Sequence, residues 1–533
     1  MDPALNAHHL DFNPGDPKEI LRDKVLYDIS GIYRPIALRD QIIRSSIVVE
    51  RAIEKGIIDK DRPLLIIGGG FAGMTAAFHA ESHNIPTYLV ELKKPLEKFT
   101  TLTRYVCPTL YDFPLSHWQR KEFPLETDSS IQIKIKAGGI DEITEYFQER
   151  IYEPLKKSKI FFLLESAEIS KIALDNSGEE VYARVTVEIV DAVDKITKKE
   201  FTPKMPENFG MVISCIGFAK ERTWVKEDDY KNGYVGMQFW QMDFELFNSG
   251  IKSLICGSGD GALQDFLLIV TGENSAHEIY EKLDLSNAIK SWIESNLSEA
   301  ENCAHRSVLW TGGNSSDKAR MREHIVYNEL HQKYQATIEK LLGTDAKDGA
   351  IKNSRFLPNE INISDDERKK LLERLSALVT NYLEKGNHIQ IIHSCTHFSP
   401  SYAMNKFLSL LIIEYIEQYK QSQKITIQEA GIALVKGIEH NCQGKAKICY
   451  LEKHEVKYIK YQCYEDFKSL LDDTSEEEYL STNLEKEYDR VLVRFGLHKI
   501  SSPFEKCQAP YNNCYAVFPG LQTLPYSFPK GND

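Results

Sequence analysis

Residues 63–91 read PLLIIGGGFAGMTAAFHAESHNIPTYLVE, and this stretch decides the fold. The apolar run 64–67 is typical of a strand that is buried on both faces of a parallel sheet. A glycine-rich turn follows, and the small residues from about 73–83 suit a helix that packs closely on a sheet. A second apolar run, 88–90, ends at Glu91. The order strand, turn, helix, strand within about 30 residues predicts a βαβ unit.

The turn carries three glycines at the spacing Gly68-x-Gly70-x-x-Gly73. Gly68 permits a tight turn, Gly70 lets the backbone approach a pyrophosphate, and Gly73 lets the helix pack on the strand. The N-terminus of the helix adds amide N–H groups and a positive dipole end, and both favour phosphate. A turn that serves backbone geometry alone is the alternative, but the complete βαβ order favours dinucleotide binding. The predicted contact residues are Gly68, Gly69, Gly70, Phe71, Ala72 and Gly73.

Glu91 ends the second strand, where a dinucleotide site places an acidic residue. Its carboxylate can accept hydrogen bonds from both hydroxyls of the adenosine ribose. The same negative charge would repel a 2′-phosphate, so NADP is not expected at this loop.

A run of short predicted strands ends in VISCIG, residues 212–217. This segment resembles the part of two-dinucleotide-binding-domain flavoproteins in which a strand ends in Ala-Thr-Gly. Cys215, Ile216 and Gly217 stand in those three places. The resemblance implies that the first loop binds the ADP half of FAD, that Gly217 contacts the cofactor, and that the backbone near Ile169 contacts the adenine.

A second glycine-rich turn lies in SLICGSGDGALQDFLLIV, residues 253–270. Gly257-x-Gly259-x-x-Ala262 follows the same rule, with alanine at the third position. The stretch resembles the NAD(P)H-binding loop of thioredoxin-reductase-like flavoproteins, in which an aspartate holds the place of Asp260. The cofactor contacts that the resemblance implies are Gly257, Ser258, Gly259, Asp260, Gly261 and Ala262.

Two other interpretations of this second turn stay open. In the same flavoproteins an Ala-x-Gly-Asp stretch binds the ribityl and phosphate region of FAD through its aspartate, and residues 255–260 could be that element. The turn could also join strand to helix without any ligand. The sequence does not distinguish NADH from NADPH, because no strand with a ribose-sensing residue is recognisable after Val270.

Candidate catalytic residues come first from the aromatic stretch that runs from Arg104 to Trp118. Tyr111 and His117 in this stretch are candidate proton donors beside a flavin. An ordinary packed aromatic loop is the alternative interpretation.

A further candidate, His397, lies in the segment 393–402, HSCTHFSPSY, at the end of a predicted strand. The carboxyl end of a parallel strand faces the ligand crevice of an α/β sheet. His393, Cys395 and His397 alternate, and in an extended chain these zinc-type ligands would share one face. No fourth ligand follows in a matching pattern, so no metal site is predicted.

Composition and cysteine spacing exclude several classes of function. A net charge of -13 and a pI near 5.7 make nucleic acid a poor partner. None of the ten cysteines forms a CxxC pair, so free thiols are expected and a redox disulfide is not. The N-terminus lacks the features of a signal peptide, and no apolar run is long enough to span a bilayer. These features predict a cytoplasmic protein.

The sequence therefore predicts an α/β fold with two Rossmann-like dinucleotide-binding domains of the three-layer ββα type, together with β-meanders and a helical insertion. The predicted boundaries are a helical extension at 1–60, an FAD domain at 61–235 that is completed by 486–533, and a second domain at 236–485 with the insertion at about 273–387.

The function expected from this organisation is that of an FAD-dependent oxidoreductase. NAD(P)H would reduce the flavin, which would then reduce O₂ or an organic acceptor, as in a reductase or a monooxygenase. An FAD-only oxidase and a non-catalytic dinucleotide-binding sensor or effector scaffold are the alternatives. The expected partners are a small-molecule substrate or O₂ and a second copy of the chain.

Overall fold

The two glycine turns and the sheets that carry them lie in the part of the chain that the computed structural model describes. The described residues are 25–29, 38–100, 102, 104–107, 122–123, 133–175, 182–189, 206, 208–217, 221, 223, 236–240, 249–310, 317–344, 360–393, 397–398, 401–419, 429–430, 433–440, 446–452, 483–494, 502–506 and 512–513.

The strands within these ranges alternate with helices along much of the chain. In chain order the strands are β1 (Leu26–Asp28), β2 (Leu64–Ile67), β3 (Thr87–Glu91), β4 (Tyr105–Val106), β5 (Glu122–Phe123), β6 (Ile135–Lys136), β7 (Gly138–Gly139), β8 (Phe161–Glu165), β9 (Ala167–Asp175), β10 (Tyr182–Ile189), β11 (Met211–Ser214), β12 (Lys252–Cys256), β13 (His388–Ile392), β14 (Glu429–Ala430), β15 (Ala433–His440), β16 (Ala446–Glu452), β17 (Asn483–Tyr488), β18 (Arg490–Val493) and β19 (Asn512–Asn513).

The α-helices are mostly longer than the strands. They are α1 (Leu38–Glu54), α2 (Phe71–Ser82), α3 (Ile140–Phe147), α4 (Glu153–Lys157), α5 (Asp260–Thr271), α6 (Ala276–Leu283), α7 (Asn287–Trp310), α8 (Asp317–Leu342), α9 (Asp365–Glu384), α10 (Ala403–Tyr419) and α11 (Pro503–Lys506). Among the described helices, none combines the length and the apolar composition that crossing a membrane requires.

The chain divides into two compact units. Unit 1 comprises Met1–Pro108, Lys121–Lys220 and His498–Asp533, and unit 2 comprises Thr109–Arg120 and Glu221–Leu497.

Unit 1 is built on a six-stranded sheet with the order β19-β1-β11-β2-β3-β8. All its strand pairs are parallel. β2 lies between β11 and β3, and all of its residues are buried, which explains its unbroken apolar sequence. Helix α2 follows β2 directly, and most of its small residues are buried as well.

A β-hairpin adds a second β layer to unit 1. β9 and β10 pair antiparallel. Ile169 and Ala183 from the hairpin share a core cluster with Leu65 and Val90 from the parallel sheet. The short strands predicted between the first loop and VISCIG therefore cover the sheet that carries the loop.

Residues 1–60 are predicted to form a separate helical extension, but part of this segment belongs to the sheet of unit 1. β1 pairs in parallel with β11, so part of the first 60 residues completes the sheet of unit 1. Helix α1 is joined to α2 by a hydrogen bond of 2.6 Å between Glu50 Oε2 and His79 Nε2. This hydrogen bond lowers the pKa of Glu50.

Unit 2 contains a parallel sheet of four strands with the order β14-β13-β12-β18. A separate antiparallel sheet is formed by β15, β16 and β17. Helices α6 to α9 occupy most of the predicted helical insertion. The prediction that 486–533 returns to the first domain needs a correction, because β18 pairs with β12 in unit 2 and the chain returns only at His498.

Buried polar groups tie the helices of unit 2 together. Lys406 Nζ on α10 lies 2.9 Å from Glu301 Oε1 on α7, and both side chains are almost fully buried. The Tyr334 hydroxyl on α8 donates to the same carboxylate oxygen. Burial raises the pKa of Tyr334 well above its usual value, so the hydroxyl keeps its proton.

Candidate functional site

The first glycine loop is shaped by two glycines that the backbone of unit 1 itself requires. Gly68 has a φ of +101°, and a Cβ atom there would lie 2.6 Å from the carbonyl oxygen of Cys215. A Cβ atom on Gly73 would lie only 1.9 Å from the carbonyl oxygen of Gly68. The loop therefore turns tightly between β2 and α2, as the glycine spacing predicts.

Gly70, in contrast, has no such requirement. Its φ of -76° and ψ of -171° are open to any residue, and the nearest described atom to an added Cβ is a Phe99 ring carbon at 3.9 Å. Gly70 is also the N-cap of α2, and no described side chain caps this helix end. A glycine that neither backbone nor packing requires, at an uncapped helix N-terminus, leaves the backbone open to a phosphate group.

Glu91 lies beside this loop. Its Oε2 accepts a hydrogen bond of 2.5 Å from the Gly69 N–H, and its Oε1 accepts one of 2.9 Å from the Lys93 N–H. The carboxylate is thereby fixed at the end of β3, and each oxygen keeps a second lone pair for a ribose hydroxyl.

A second carboxylate lies on the neighbouring strand end. Glu165 at the end of β8 is in register with Glu91. The Tyr152 hydroxyl donates to Glu165 at 3.2 Å, and burial together with the charge of Glu165 raises the pKa of Tyr152. Two acidic side chains at adjacent strand ends disfavour a 2′-phosphate at this edge of the sheet.

Two large apolar side chains flank the same loop. Leu92, directly after Glu91, is 52% exposed, and Ile216 is 38% exposed. The Ile216 Cα lies 3.0 Å from the position of a Cβ on Gly68. Gly217 has a φ of +78°, and no described atom lies within 4 Å of its Cβ position. These strand ends offer apolar surface and open space next to the loop, which suits a flat aromatic ring.

The side chain of Ile169 does not face the first glycine loop. The side chain is buried in the core cluster of unit 1, and the residue pairs with Val187 of β10.

The second glycine loop repeats the backbone hydrogen bonds of the first. The Gly68 N–H donates to the Val90 carbonyl at 2.8 Å, and the Gly257 N–H donates to the Ile392 carbonyl at 2.7 Å. Each first glycine is thus bonded to the end of the next parallel strand.

The strand on the other side repeats the pattern too. The Cys215 N–H donates to the Ile67 carbonyl at 2.7 Å, and the Arg494 N–H donates to the Cys256 carbonyl at 2.7 Å. Gly257 has a φ of +140°, and a Cβ there would lie 2.2 Å from the Arg494 carbonyl oxygen. The sequence shows the duplication of the two loops only as a repeated order of elements. In the structure the backbone hydrogen bonds of the two loops also correspond.

Gly259 corresponds to Gly70. It is the N-cap of α5 with a φ of -81° and a ψ of -179°, and no described side chain caps the helix. No described atom lies within 4 Å of its Cβ position. Ala262 takes the place of Gly73 and is buried. Gly261 follows in the first turn of α5, where an added Cβ would lie 3.1 Å from a ring carbon of Phe239.

Asp260 connects the second loop to α10. Its Oδ1 accepts hydrogen bonds from the Tyr402 N–H at 2.7 Å and from Asn405 Nδ2 at 2.8 Å. The carbonyl of Ser258 accepts a hydrogen bond of 2.6 Å from the Ser401 hydroxyl. The aspartate and the loop backbone therefore hold the start of α10 in place.

His393 occupies the place that Glu91 has in unit 1. Val90 and Ile392 play the same role for the two loops, so the residues after them correspond. His393 is buried and packs at 5.2 Å from the Phe398 ring. The sequence analysis places His393 at the end of a strand but does not recognise it as the counterpart of Glu91, because β13 follows the loop only after the long helical insertion.

Arg494 supports the second loop from the adjoining strand end. Its Nε lies 2.6 Å from Asp265 Oδ2 on α5, and both side chains are almost fully buried. Arg494 also donates to the Met237 carbonyl at 2.6 Å. The pair joins residues that are 229 positions apart in the chain, and sequence reasoning did not single it out.

The predicted catalytic residues are only partly within the described structure. Tyr111 and His117 lie outside it, as does Cys395. His397 stacks on His331 with ring centroids 3.8 Å apart, and it has a φ of +40°. A positive φ at a residue other than glycine shows that His397 is not part of an extended strand, so His397 does not share a strand face with His393.

Three of the cysteines, Cys107, Cys215 and Cys256, are buried. Burial raises the pKa of the Cys256 thiol to about 12, which disfavours a reactive thiolate beside the second loop.

No family model matches the chain, and no curated protein matches it. Solved structures similar to it include the thioredoxin reductase of Lactococcus lactis, at 11% identity and a TM-score of 0.35, with 83% of this chain and 80% of that chain covered. A second is the bacillithiol disulfide reductase of Staphylococcus aureus, at 10% identity and 0.34, with 82% and 77% covered.

A third similar structure is the FAD-bound cadaverine monooxygenase of the desferrioxamine pathway of Erwinia amylovora, at 8% identity and a TM-score of 0.38, with 84% of this chain and 81% of that chain covered. At these TM-scores the function rests on the geometry of the two loops.

Proposed function

We propose that this chain is an FAD-dependent oxidoreductase that binds FAD at the Gly68 loop and NAD(P)H at the Gly257 loop. The observation that carries the proposal is the shared geometry of the loops, each with an unconstrained glycine, Gly70 or Gly259, at an uncapped helix N-terminus. When bound, FAD would supply the redox chemistry that links a nicotinamide donor to O₂ or an organic acceptor, and the residues of the two loops would bind and orient the cofactors.

Several features of unit 1 support FAD at the first loop. The N–H groups at the start of α2 would bind the pyrophosphate, and Glu91 would accept the ribose hydroxyls. The acidic pair of Glu91 and Glu165 disfavours NADP there. Leu92 and Ile216 would cover the adenine with apolar surface.

The second loop differs in the residue that would contact the ribose. His393 stands where Glu91 stands in unit 1, and the segment 393–397, HSCTH, contains no acid. Without a carboxylate, nothing in this segment repels a 2′-phosphate. We therefore expect NADPH to reduce the flavin at least as well as NADH.

The contacts of Asp260 favour the nicotinamide interpretation over an FAD-only oxidase. In an oxidase of that kind the Asp260 carboxylate would bind the ribityl chain of the flavin. In this structure the carboxylate accepts hydrogen bonds from the Tyr402 N–H and from Asn405 Nδ2. Asp260→Asn should therefore leave FAD affinity within about threefold of wild type. A loss of FAD binding in this variant would favour the oxidase.

The proposal is tested by anaerobic stopped-flow reduction of the FAD-loaded full chain. We expect both nicotinamide nucleotides to bleach the flavin bands, with NADPH at least as effective as NADH. Gly259→Ala should keep the bound FAD and slow reduction at subsaturating nucleotide by about tenfold or more, because one lost phosphate contact is worth about 1.5 kcal/mol.

Failure of both nucleotides to bleach the flavin would contradict the two-cofactor proposal. A marked preference for NADH would contradict the assignment of His393. Bleaching without turnover with any acceptor would favour the non-catalytic sensor. A homo-oligomer and a cytoplasmic location stay predictions.

A further inference from the structure

A cluster of metal-ligand side chains lies at the far end of α2, and the proposed function does not use it. We propose that Glu50, His79 and His83 bind one divalent transition-metal ion of the zinc class between α1 and α2. Their ligand atoms, one carboxylate oxygen and two imidazole nitrogens, all lie within 4.8 Å of one another.

Two of the three distances between ligand atoms are close to those around a small ion. Glu50 Oε2 lies 2.6 Å from His79 Nε2 and 3.5 Å from His83 Nε2. Zinc–ligand bonds of about 2.0–2.1 Å in a tetrahedral site place the ligands about 3.4 Å apart. The second distance already has this value, and the first reaches it when one side chain moves by less than about 1 Å.

A backbone carbonyl orients the ring of His83. Its Nδ1 lies 2.9 Å from the His79 carbonyl oxygen, which can only accept, so Nδ1 donates to it. Nε2, on the other side of the ring and 3.5 Å from Glu50 Oε2, is then the atom that would bind the ion. A carbonyl that fixes the outer nitrogen of a histidine is the usual second-shell partner of a metal ligand.

The position of the cluster is favourable for a cation and accessible to one. His79 lies in the last turn of α2 and His83 is its C-cap, where the helix dipole favours positive charge. The side chain of His79 is 7% exposed, that of Glu50 20% and that of His83 36%. The buried ligand holds its place while the exposed one leaves an entry path and room for a water ligand.

The proposed ion would join two helices and take no part in the redox reaction. At about 1.5 Å per residue along α2, His79 and His83 lie about 14 and about 20 Å from the Gly70 end. Glu50 comes from α1, so the ion would fasten the N-terminal helix to the βαβ unit. The proposal is independent of any cofactor at the loops.

The test uses the purified full chain after removal of metal with a chelator, with Co²⁺ as the spectroscopic probe. We expect visible absorption bands that saturate at one Co²⁺ per chain and are abolished by Zn²⁺, and a higher melting temperature with Zn²⁺. His83→Ala and Glu50→Gln should each weaken Co²⁺ binding by about tenfold or more.

Glu54→Gln is the matched control, because Glu54 lies one turn further along α1 and pairs with Arg51. It should bind Co²⁺ as wild type does. No saturable binding to the wild-type chain would overturn the proposal. Equal affinity in wild type and His83→Ala would also overturn it, since the ion would then be held by other histidines. The proposal would likewise be overturned if the substitutions lowered stability but the wild-type chain bound no Co²⁺.

Discussion

Arg494→Met is expected to lower the free energy of unfolding of unit 2 by about 3–5 kcal/mol. The substitution leaves the Asp265 carboxylate buried without the guanidinium that lies 2.6 Å from it. It also removes the hydrogen bond to the Met237 carbonyl. The Arg494 N–H donates to the carbonyl of Cys256 beside Gly257, so a displaced Arg494 backbone should also change the shape of the second loop.

Tryptophan fluorescence during urea unfolding measures this effect selectively. All five tryptophans of the chain lie in unit 2. Arg374→Met is the matched control, because Arg374 forms a more exposed ion pair with Asp284, and it should cost less than about 1 kcal/mol. Asp265→Leu combined with Arg494→Met should be less destabilised than Arg494→Met alone. A midpoint for Arg494→Met equal to that of Arg374→Met would contradict this account.

Gly73→Ala is expected to distort the first loop and to abolish FAD binding. The new Cβ would lie 1.9 Å from the carbonyl oxygen of Gly68, and neither the strand end nor the helix can yield without moving. Overpacking typically costs about 1–3 kcal/mol, and the very short distance here places this substitution at the upper end of that range. The effect should be confined to unit 1.

Hydrogen–deuterium exchange of the full chain gives a local measurement. Peptides from 64–91 should lose protection in Gly73→Ala, while peptides from α7 and α10 in unit 2 should not change. In Gly70→Ala the same 64–91 peptides should keep their protection, since the nearest described atom to the new Cβ lies 3.9 Å away. Wild-type protection in Gly73→Ala would show that the glycine is not required for packing.

Local sequence was sufficient to predict the loops and the strands beside them. The glycine spacing at 68–73 and at 257–262, and the apolar runs of β2, β12 and β18, all indicate their structure within a few neighbouring residues. Such signals depend on backbone geometry and burial, which a short window contains.

Pairings between distant segments could not be predicted in the same way. The sequence predicts the return of the chain to the first domain at 486, too early to be correct, because a parallel strand such as β18 is apolar whichever sheet it joins. β1 is a three-residue strand, too short for a periodic signal. The identity of His393 as the counterpart of Glu91 depends on hydrogen bonds that cross the helical insertion.

The proposed metal ligands likewise include a pair that local sequence can indicate and a third residue that it cannot. His79 and His83 lie four positions apart on one helix, a spacing that is readable in the sequence. Glu50 comes from another helix, and only the packing of α1 on α2 brings it to the pair.

The central claim, that the Gly68 loop binds FAD, is tested most directly by titrating the cofactor-free full chain with FAD. We expect one FAD per chain, with the flavin bands of a bound cofactor. Gly70→Ala should remain folded and bind FAD about tenfold or more weakly, because its methyl group occupies the space that the pyrophosphate needs. A wild-type chain that binds no FAD, or a Gly70→Ala variant that binds it equally well, would contradict the account.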